Sequence, residues 1–227
     1  MVLDEAIELA RRGVIVTAFG DLMMVPATET SLYGLKTEGA DVRIVYGPHD
    51  AVEIAEKNPD RDVVFCAVGF ETTAPGIASE LLRGVPENFS IISAHRLIPP
   101  SMQLLMSIGD LQIDGFICPG HVATIIGARP FREFADAYLM PTVVSGFGPN
   151  DVLLTIAMLL RQLKDEDPKC ENEYTRLVKE EGNLKAQKIM DEVFQIANAH
   201  WRGIGRVPDS GYILKKEFEE YDAEKKY

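Results

Sequence analysis

Cysteine is scarce in this sequence, with three residues among 227: Cys66, Cys118 and Cys170. An odd and sparse count does not fit a disulfide framework. No two of them form a Cys-x-x-Cys pair. This chain alone therefore cannot build a closed zinc site, or an iron–sulfur cluster with its usual number of thiolates. From the sequence itself we predict no metal ligands.

Long apolar runs and positive charge are also in short supply. The longest strongly apolar stretch runs from Val152 to Leu160, which is too short to span a bilayer. The acidic, amphipathic start does not resemble a secretory signal. A formal net charge of −12 disfavours binding to nucleic acid, which requires a basic surface. We expect a cytoplasmic protein with no membrane and no nucleic-acid partner.

Three common functional signatures are missing as well. The sequence contains no Gly-x-x-x-x-Gly-Lys-Ser/Thr loop, no Gly-x-Gly-x-x-Gly after a strand and no Gly-x-Ser-x-Gly elbow. A nucleotide or hydrolase site of those familiar types is not indicated.

What the sequence does contain is an alternation of short apolar strands and helices of about ten residues. The predicted strands are 14–19, 41–46, 62–68, 89–93, 115–117 and 142–145. This alternation predicts βαβ units and an α/β fold with parallel sheets buried on both faces. After Lys164 the pattern changes, and we predict a helical segment over 173–201 that is interrupted near Gly182 and Asn183. A loop, a short strand at 211–214 and a charged, solvated end complete the prediction.

Two polar loops, 69–75 and 118–122, each follow a predicted strand and precede a predicted helix. At such positions in a parallel sheet, side chains and backbone N–H groups face an open crevice. The two loops therefore predict one shared site.

The first loop carries Glu71, Thr72 and Thr73. These residues offer a carboxylate and two hydroxyl groups to a ligand. Either threonine alone fits equally well as the cap of the following helix. A carboxylate at a helix start is also favoured by the helix dipole. Both interpretations stay open for each residue.

The second loop carries Cys118 and His121 on either side of a Pro-Gly turn. Imidazole can act as ligand, acid or base near neutral pH. A single cysteine at a strand end is more often part of the core. Asp21 and His95 also follow predicted strands, Asp21 as a turn residue and His95 as a candidate neighbour of the site.

The strings GFETTAP at 69–75 and PGHV at 119–122, with VIVTAFGDLMMVP near the start and WRGIGRVPDSG near the end, resemble the HypD family. Members of this family are scaffold proteins in the maturation of [NiFe]-hydrogenase. The resemblance implies Rossmann-like parallel sheets in two similar lobes with a cleft between them. It assigns 1–58 to the remainder of an incomplete first lobe, 59–164 to the second lobe and 165–227 to a helical tail.

The resemblance also implies a function. Such proteins assemble an iron that carries two cyanides and one carbon monoxide, Fe(CN)2CO, with a small HypC-type chaperone and a HypE-type cyanide donor. It implies that Glu71, Thr72, Thr73 and His121 act on the iron's ligands. Gly69, Phe70, Pro119 and Gly120 line the same cleft.

The family's cysteine motifs do not occur in this sequence. They include CGxHxH, GPGCPVC and the C-terminal cysteines of a [4Fe–4S] cluster. We therefore expect the iron to be a transient substrate whose thiolate anchors lie on other polypeptide, and the chain alone not to be catalytic. Gly148 also stands where the family often has Glu. The alternative is an α/β module that binds a metabolite or a partner and has no maturation activity.

Overall fold

The computed structural model describes residues 2–108 and 112–227. It has the predicted α/β fold class, with helices packed on two parallel sheets. The strands are β1 Ile15–Ala18, β2 Val42–Ile44, β3 Val63–Gly69, β4 Phe89–His95, β5 Phe116–Pro119, β6 Thr142–Ser145, β7 Cys170–Asn172, β8 Phe194–Trp201 and β9 Gly205–Leu214. The helices are α1 Val2–Arg11, α2 Leu32–Thr37, α3 Pro48–Glu56, α4 Ala74–Arg83, α5 Ile98–Ser107, α6 Gly120–Ile126, α7 Arg129–Tyr138, α8 Pro149–Asp165, α9 Leu184–Val193 and α10 Ala223–Lys226.

The first sheet has the strand order β2-β1-β3-β4, and all its strand pairs are parallel. Strand β3 shows why it forms, because apolar residues fill both of its faces. Val64 and Cys66 pack into one core with α1 and α2, whereas Phe65 and Ala67 pack into another with α3, α4 and α9. A parallel strand buried on both faces has a continuous apolar run, as predicted.

The second sheet has the order β5-β6-β7 and is also parallel. On one face Cys118 and Val144 pack in a core with residues of α6 and α7. On the other face α8 lies over the sheet, where Thr155 Oγ1 donates to Ser145 Oγ at 2.8 Å.

An antiparallel hairpin, β8–β9, packs against the end of β4. Leu97 N–H donates to the Ser210 carbonyl at 2.9 Å, and Ser93 Oγ donates to the Tyr212 carbonyl at 2.8 Å. These bonds run between the end of β4 and β9. They pair the Leu97 N–H and the Ser93 hydroxyl with two carbonyls of β9.

Strand pairing does not follow the boundary predicted between residues 58 and 59. Strand β3 lies beyond that boundary, yet it pairs with β1 over Ile15–Val63 to Thr17–Phe65. The division between the two sheets comes after β4 instead. The pairing of β3 with β1 joins residues that are far apart in the sequence, so local sequence patterns do not predict it.

The prediction of a helix over 173–201 was wrong for most of its length. Only α9 is helical there, and β8 follows it directly. Strand β7, at Cys170–Asn172, was not predicted at all. The charged end is not fully solvated either, since Ala223 of α10 is buried in the first-sheet core. Over residues 2–108 and 112–227, no helix combines the length and apolarity needed to cross a membrane.

Candidate functional site

The first loop leaves β3 through Gly69, whose backbone requires glycine. Its φ is +150°, and a Cβ at this position would collide with the Thr73 side chain. The Gly69 carbonyl accepts a hydrogen bond from Arg96 N–H at 2.9 Å. The loop conformation is therefore fixed on one side by β4 and on the other by Thr73.

Glu71 is the buried polar residue of this loop, with 2% of its surface exposed. Its Oε1 accepts a hydrogen bond from Ile98 N–H at 2.9 Å. Its Oε2 is buried and has no hydrogen-bond partner. Burial raises the pKa of this carboxyl from 4.5 to about 7, although the bonds from backbone N–H groups oppose the shift. Near neutral pH the group exists in both protonation states, so it can donate or accept a hydrogen bond.

The neighbours of Glu71 differ in accessibility. Thr73 Oγ1 donates to the Phe70 carbonyl at 3.0 Å and does not cap α4. The alternative that the Thr73 side chain caps the following helix is therefore wrong. Thr72 and Phe70 flank Glu71 in the sequence, and both are exposed.

The second loop brings its backbone close to a neighbouring strand. A Cβ at Gly120 would collide with the Ser145 carbonyl and the Tyr174 ring, so only glycine fits. Pro119 is extended and leads into α6. His121, the second residue of α6, is exposed. Its ring lies 4.1 Å from that of Phe147 and 6.4 Å from that of Tyr174, centroid to centroid.

The surroundings of His121 include residues that sequence reasoning missed. Arg176 stacks over the Tyr174 ring at 4.4 Å and forms an ion pair with Asp151. Asp151 in turn accepts a hydrogen bond from Gly148 N–H at 3.1 Å. The sequence held one signal that could have identified Phe147 as a candidate. Phe147 and Gly148 lie between β6 and α8, which is the same strand-to-helix position as both predicted loops. Tyr174 and Arg176 gave no such signal.

The structure groups Glu71, Thr72 and Thr73 at the end of β3 and places His121 at the end of β5, in the other sheet. Across the described parts of the chain, no hydrogen bond, ion pair or ring contact joins His121 to those three residues. The two loops nevertheless lead into helices held by one element. Helix α9 packs against both α4 and α6. The shared crevice stays a prediction.

The three thiols have no place in this site. Cys66, Cys118 and Cys170 are buried and free. Burial raises the pKa of Cys66 to about 12 and that of Cys170 to about 11, and it raises the pKa of Cys118 as well. A protonated, buried thiol is a poor metal ligand. Within residues 2–108 and 112–227, no three His, Cys, Asp or Glu side chains cluster as metal ligands would.

Of the other two sequence candidates, His95 adjoins the first loop, because it pairs in register with Gly69 across β3 and β4. His95 is fully buried and packs edge-on against Phe194 and Tyr212. Neither of its ring nitrogens has a hydrogen-bond partner, and burial lowers its pKa to about 3. Asp21 is exposed in a 3-10 turn at Gly20–Leu22, in agreement with the predicted turn.

Comparison with known proteins matches the whole chain to one family. The family described as "Hydrogenase formation hypA family", HypD, matches residues 1–227. The hydrogenase maturation factor HypD of Azotobacter vinelandii is 43% identical over 236 residues, and that of Rhizobium leguminosarum bv. viciae is 43% identical over 237. HypD of Cupriavidus necator is 40% identical over 237 residues. Each match covers 99% of this chain and 62% of the relative. The chain therefore belongs to the HypD family.

Proposed function

We propose that this chain is the part of a HypD-type scaffold that orients the cyanide and carbon monoxide ligands of an Fe(CN)2CO group during its assembly. The iron is the substrate and is held by thiolates that other polypeptide supplies. The observation that carries the proposal is Glu71, a carboxyl buried at a strand end with one oxygen bonded to backbone and the other unpartnered.

The chemistry of Glu71 suits a cyanide ligand. The nitrogen of an iron-bound cyanide is a hydrogen-bond acceptor, and a protonated carboxyl is a donor. Burial raises the pKa of Glu71 to about 7, so its protonated form, which is the donor, persists to higher pH than in a hydrated carboxyl. Hydrogen bonds of this kind tune a metal centre without touching the metal.

The state of the thiols in this chain agrees with the proposal that other polypeptide supplies the thiolates that hold the iron. Low-spin iron with cyanide and carbon monoxide calls for soft anionic ligands such as thiolate. Cys66, Cys118 and Cys170 are buried thiols with raised pKa values, so they do not offer that ligand. The chain on its own is therefore proposed to bind no iron and to catalyse nothing.

His121 has a second role in the proposal. Its imidazole is exposed on the other loop, and stacking on Phe147 restricts its orientation. An oriented imidazole can hydrogen-bond a ligand or move a proton near neutral pH. The partners in this proposal are a HypC-type chaperone and a HypE-type cyanide donor. We place the process in the cytoplasm, where free thiols stay reduced.

The test is a chimera in which residues 1–227 replace the matching region of Azotobacter vinelandii HypD, in a strain that lacks its own factor. Hydrogenase activity measures maturation. Glu71→Ala and His121→Ala in the chimera should each lower that activity at least about tenfold, the effect of losing a hydrogen bond to a charged group. His200→Ala is the matched control, because His200 is also exposed and lies on the hairpin.

The outcomes separate function from folding. Lost activity together with unchanged amounts of soluble chimera supports the proposal. Full activity in both variants would remove Glu71 and His121 from the site. The rival hypothesis, a metabolite-binding module, gains no support from membership in a family of maturation factors.

A further inference from the structure

Helix α5 begins with residues that offer it few capping groups. Its first three residues are Ile98, Pro99 and Pro100, and the two prolines have no backbone N–H. Ile98 therefore carries the only N–H donor of these three positions. Leu97, the residue before the helix, makes no capping bond with its side chain. An acceptor for the Ile98 N–H has to come from another part of the chain or from water.

Glu71 supplies this acceptor from 27 positions away in the sequence. Its Oε1 accepts a hydrogen bond from the Ile98 N–H at 2.9 Å. A carboxylate at the start of a helix is favoured by the helix dipole as well as by the hydrogen bond. The Leu97 N–H donates to the Ser210 carbonyl of β9 at 2.9 Å. The start of α5 is therefore held by one residue of the candidate site and one residue of the hairpin.

The side chain of Ile98 packs in another part of the molecule. It lies against the core of the second sheet, which contains Met102 of α5 and Ala135 of α7. Helix α5 also packs against α7 as a whole. Val122, the residue after His121, belongs to the same core. Ile98 thus contacts the candidate carboxyl through its backbone and the second-sheet core through its side chain.

We propose that Ile98 is a positioning residue, which ties the Glu71 carboxyl to the second sheet and so sets its place relative to the loop of His121. The N–H of Ile98 holds Oε1, which leaves Oε2 as the oxygen that meets a ligand. The side chain anchors that N–H in a core to which α6 also contributes. The inference rests on the proposed function only for the ligand that Glu71 meets, because the link itself lies within this chain.

A charge on Glu71 should be transmitted along this link. Ionisation of the carboxyl strengthens its hydrogen bond from the Ile98 N–H, since a bond to a charged acceptor is roughly twice as strong as a neutral one. A shorter bond moves the start of α5. Because the second-sheet core is densely packed, the side chains around Ile98 have to move with it. We therefore expect the second-sheet core to respond when Glu71 titrates.

The first experiment measures the titration of Glu71 by NMR of its carboxyl carbon, between about pH 5.5 and about pH 9.5. Burial raises the pKa of Glu71 to about 7, and the hydrogen bonds from the backbone N–H groups of Glu71 and Ile98 lower it. Ile98→Pro removes the second of these donors at the first position of a helix, where proline is well tolerated. The midpoint should rise by about one pH unit, the effect of losing one hydrogen bond to a carboxylate.

Ile98→Ala is the matched control for the titration. It keeps the N–H and removes most of the side chain, so its midpoint should stay at the wild-type value. An unchanged midpoint in Ile98→Pro would overturn the role given to the N–H. An equal rise in both variants would do so as well, because the rise would then come from the loss of the side chain.

The second experiment tests whether the second sheet senses the titration of Glu71. The reporter is the methyl group of Ala135, which is buried in the second-sheet core. The local reference is the methyl group of Ala74 at the start of α4. In the wild type both NMR signals should shift with the midpoint of Glu71, and this shift should be absent from Glu71→Gln. Histidines and other titrating groups are common to both proteins, so their effects cancel. An Ala135 signal that does not follow Glu71 would overturn the proposal.

Variants of the Ile98 side chain locate the link. In Ile98→Ala the response of Ala135 should be largely lost, whereas that of Ala74 should remain. Ile98→Val keeps a β-branched apolar side chain and should retain the response of Ala135. A full response of Ala135 in Ile98→Ala would assign the link to another residue and refute the proposal. Circular dichroism establishes which variants keep their fold, and the comparison of the wild type with Glu71→Gln needs no change at Ile98.

These outcomes are separate from those of the chimera. Loss of maturation in the Glu71→Ala chimera, together with an Ala135 signal that ignores Glu71, would overturn this inference and leave the proposed function in place. Full maturation in that chimera, together with an Ala135 signal that follows Glu71 through Ile98, would contradict the proposed function and support the positioning role.

Discussion

Replacing Glu71 with Gln tests the buried carboxyl directly. Glutamine keeps the size of the side chain, and its amide oxygen can still accept the hydrogen bond from Ile98 N–H. The substitution removes the ability to ionise and replaces the buried Oε2 with an NH2 group, whose cost does not depend on pH over this range. Any change in how stability depends on pH then belongs to the charge of Glu71.

The magnitude follows from the raised pKa. In the folded protein the pKa of Glu71 is about 7, compared with 4.5 when the group is fully hydrated. The folded state holds this proton more tightly than the unfolded state, so the contribution to stability is complete below pH 4.5. It is lost as the pH rises through 7. The difference corresponds to about 3 kcal/mol.

The assay is urea unfolding at about pH 4 and about pH 8. From the lower to the higher pH, the free energy of unfolding of the wild type should fall by about 3 kcal/mol relative to Glu71→Gln. Buried His95, whose pKa is lowered to about 3, changes stability in the opposite direction. That effect is common to both proteins and cancels in the comparison.

Glu56→Gln is the matched control, since Glu56 is exposed near the end of α3. It should change the free energy of unfolding about equally at both pH values. If Glu71→Gln also shows no difference between the two pH values, Glu71 titrates like a hydrated carboxyl. The burial argument for its role would then fail.

Two further predictions concern the loops themselves. Gly69→Ala should lower the free energy of unfolding by about 2–3 kcal/mol, because it combines a positive φ with a collision against Thr73. The control is Gly84→Ala, where φ is +94° but the space is open. That substitution should lower the free energy of unfolding by about 1 kcal/mol. Equal costs in urea unfolding would refute the collision. Phe147→Ala should shift the ring-proton NMR signals of His121 while changing stability by less than about 1 kcal/mol. Unmoved signals would refute the stacking.

Much of the fold was predictable because apolar runs of strand type are local signals. The run at 62–68 predicted β3 to within one residue at each end, and α3, at Pro48–Glu56, is one of the helices of about ten residues that the alternation predicts. Local residues also mark where an element begins, as Pro48 does at the first turn of α3.

The missed strands lacked such signals. Strand β8 begins at Phe194, immediately after Val193 of α9, with no glycine or proline between them. Its residues Ala197, Asn198 and Ala199 do not alternate clearly between large apolar and polar side chains. Strand β7 is Cys-Glu-Asn, and its pairing with β6 is decided by tertiary contacts.

The sequence predicts the positions of the two candidate loops but not the surroundings of their side chains. Their position between a strand and a helix is enough to make Glu71 and His121 candidates from the sequence alone. Burial of Glu71 was not foreseeable, because a glutamate in a polar loop is ordinarily exposed. The fold alone reveals that Ile98, at the start of α5, hydrogen-bonds this carboxyl.

Helix α9 connects the helices that follow the two loops. It packs against α4, which begins after Thr73, and against α6, which carries His121. Asn183 N–H donates to the Ile125 carbonyl at 2.9 Å, and Ile125 itself packs against the first-sheet core. A packed interior transmits displacement because it is dense. We therefore expect a shift of α6 to disturb α9, and through α9 the helix that follows Glu71.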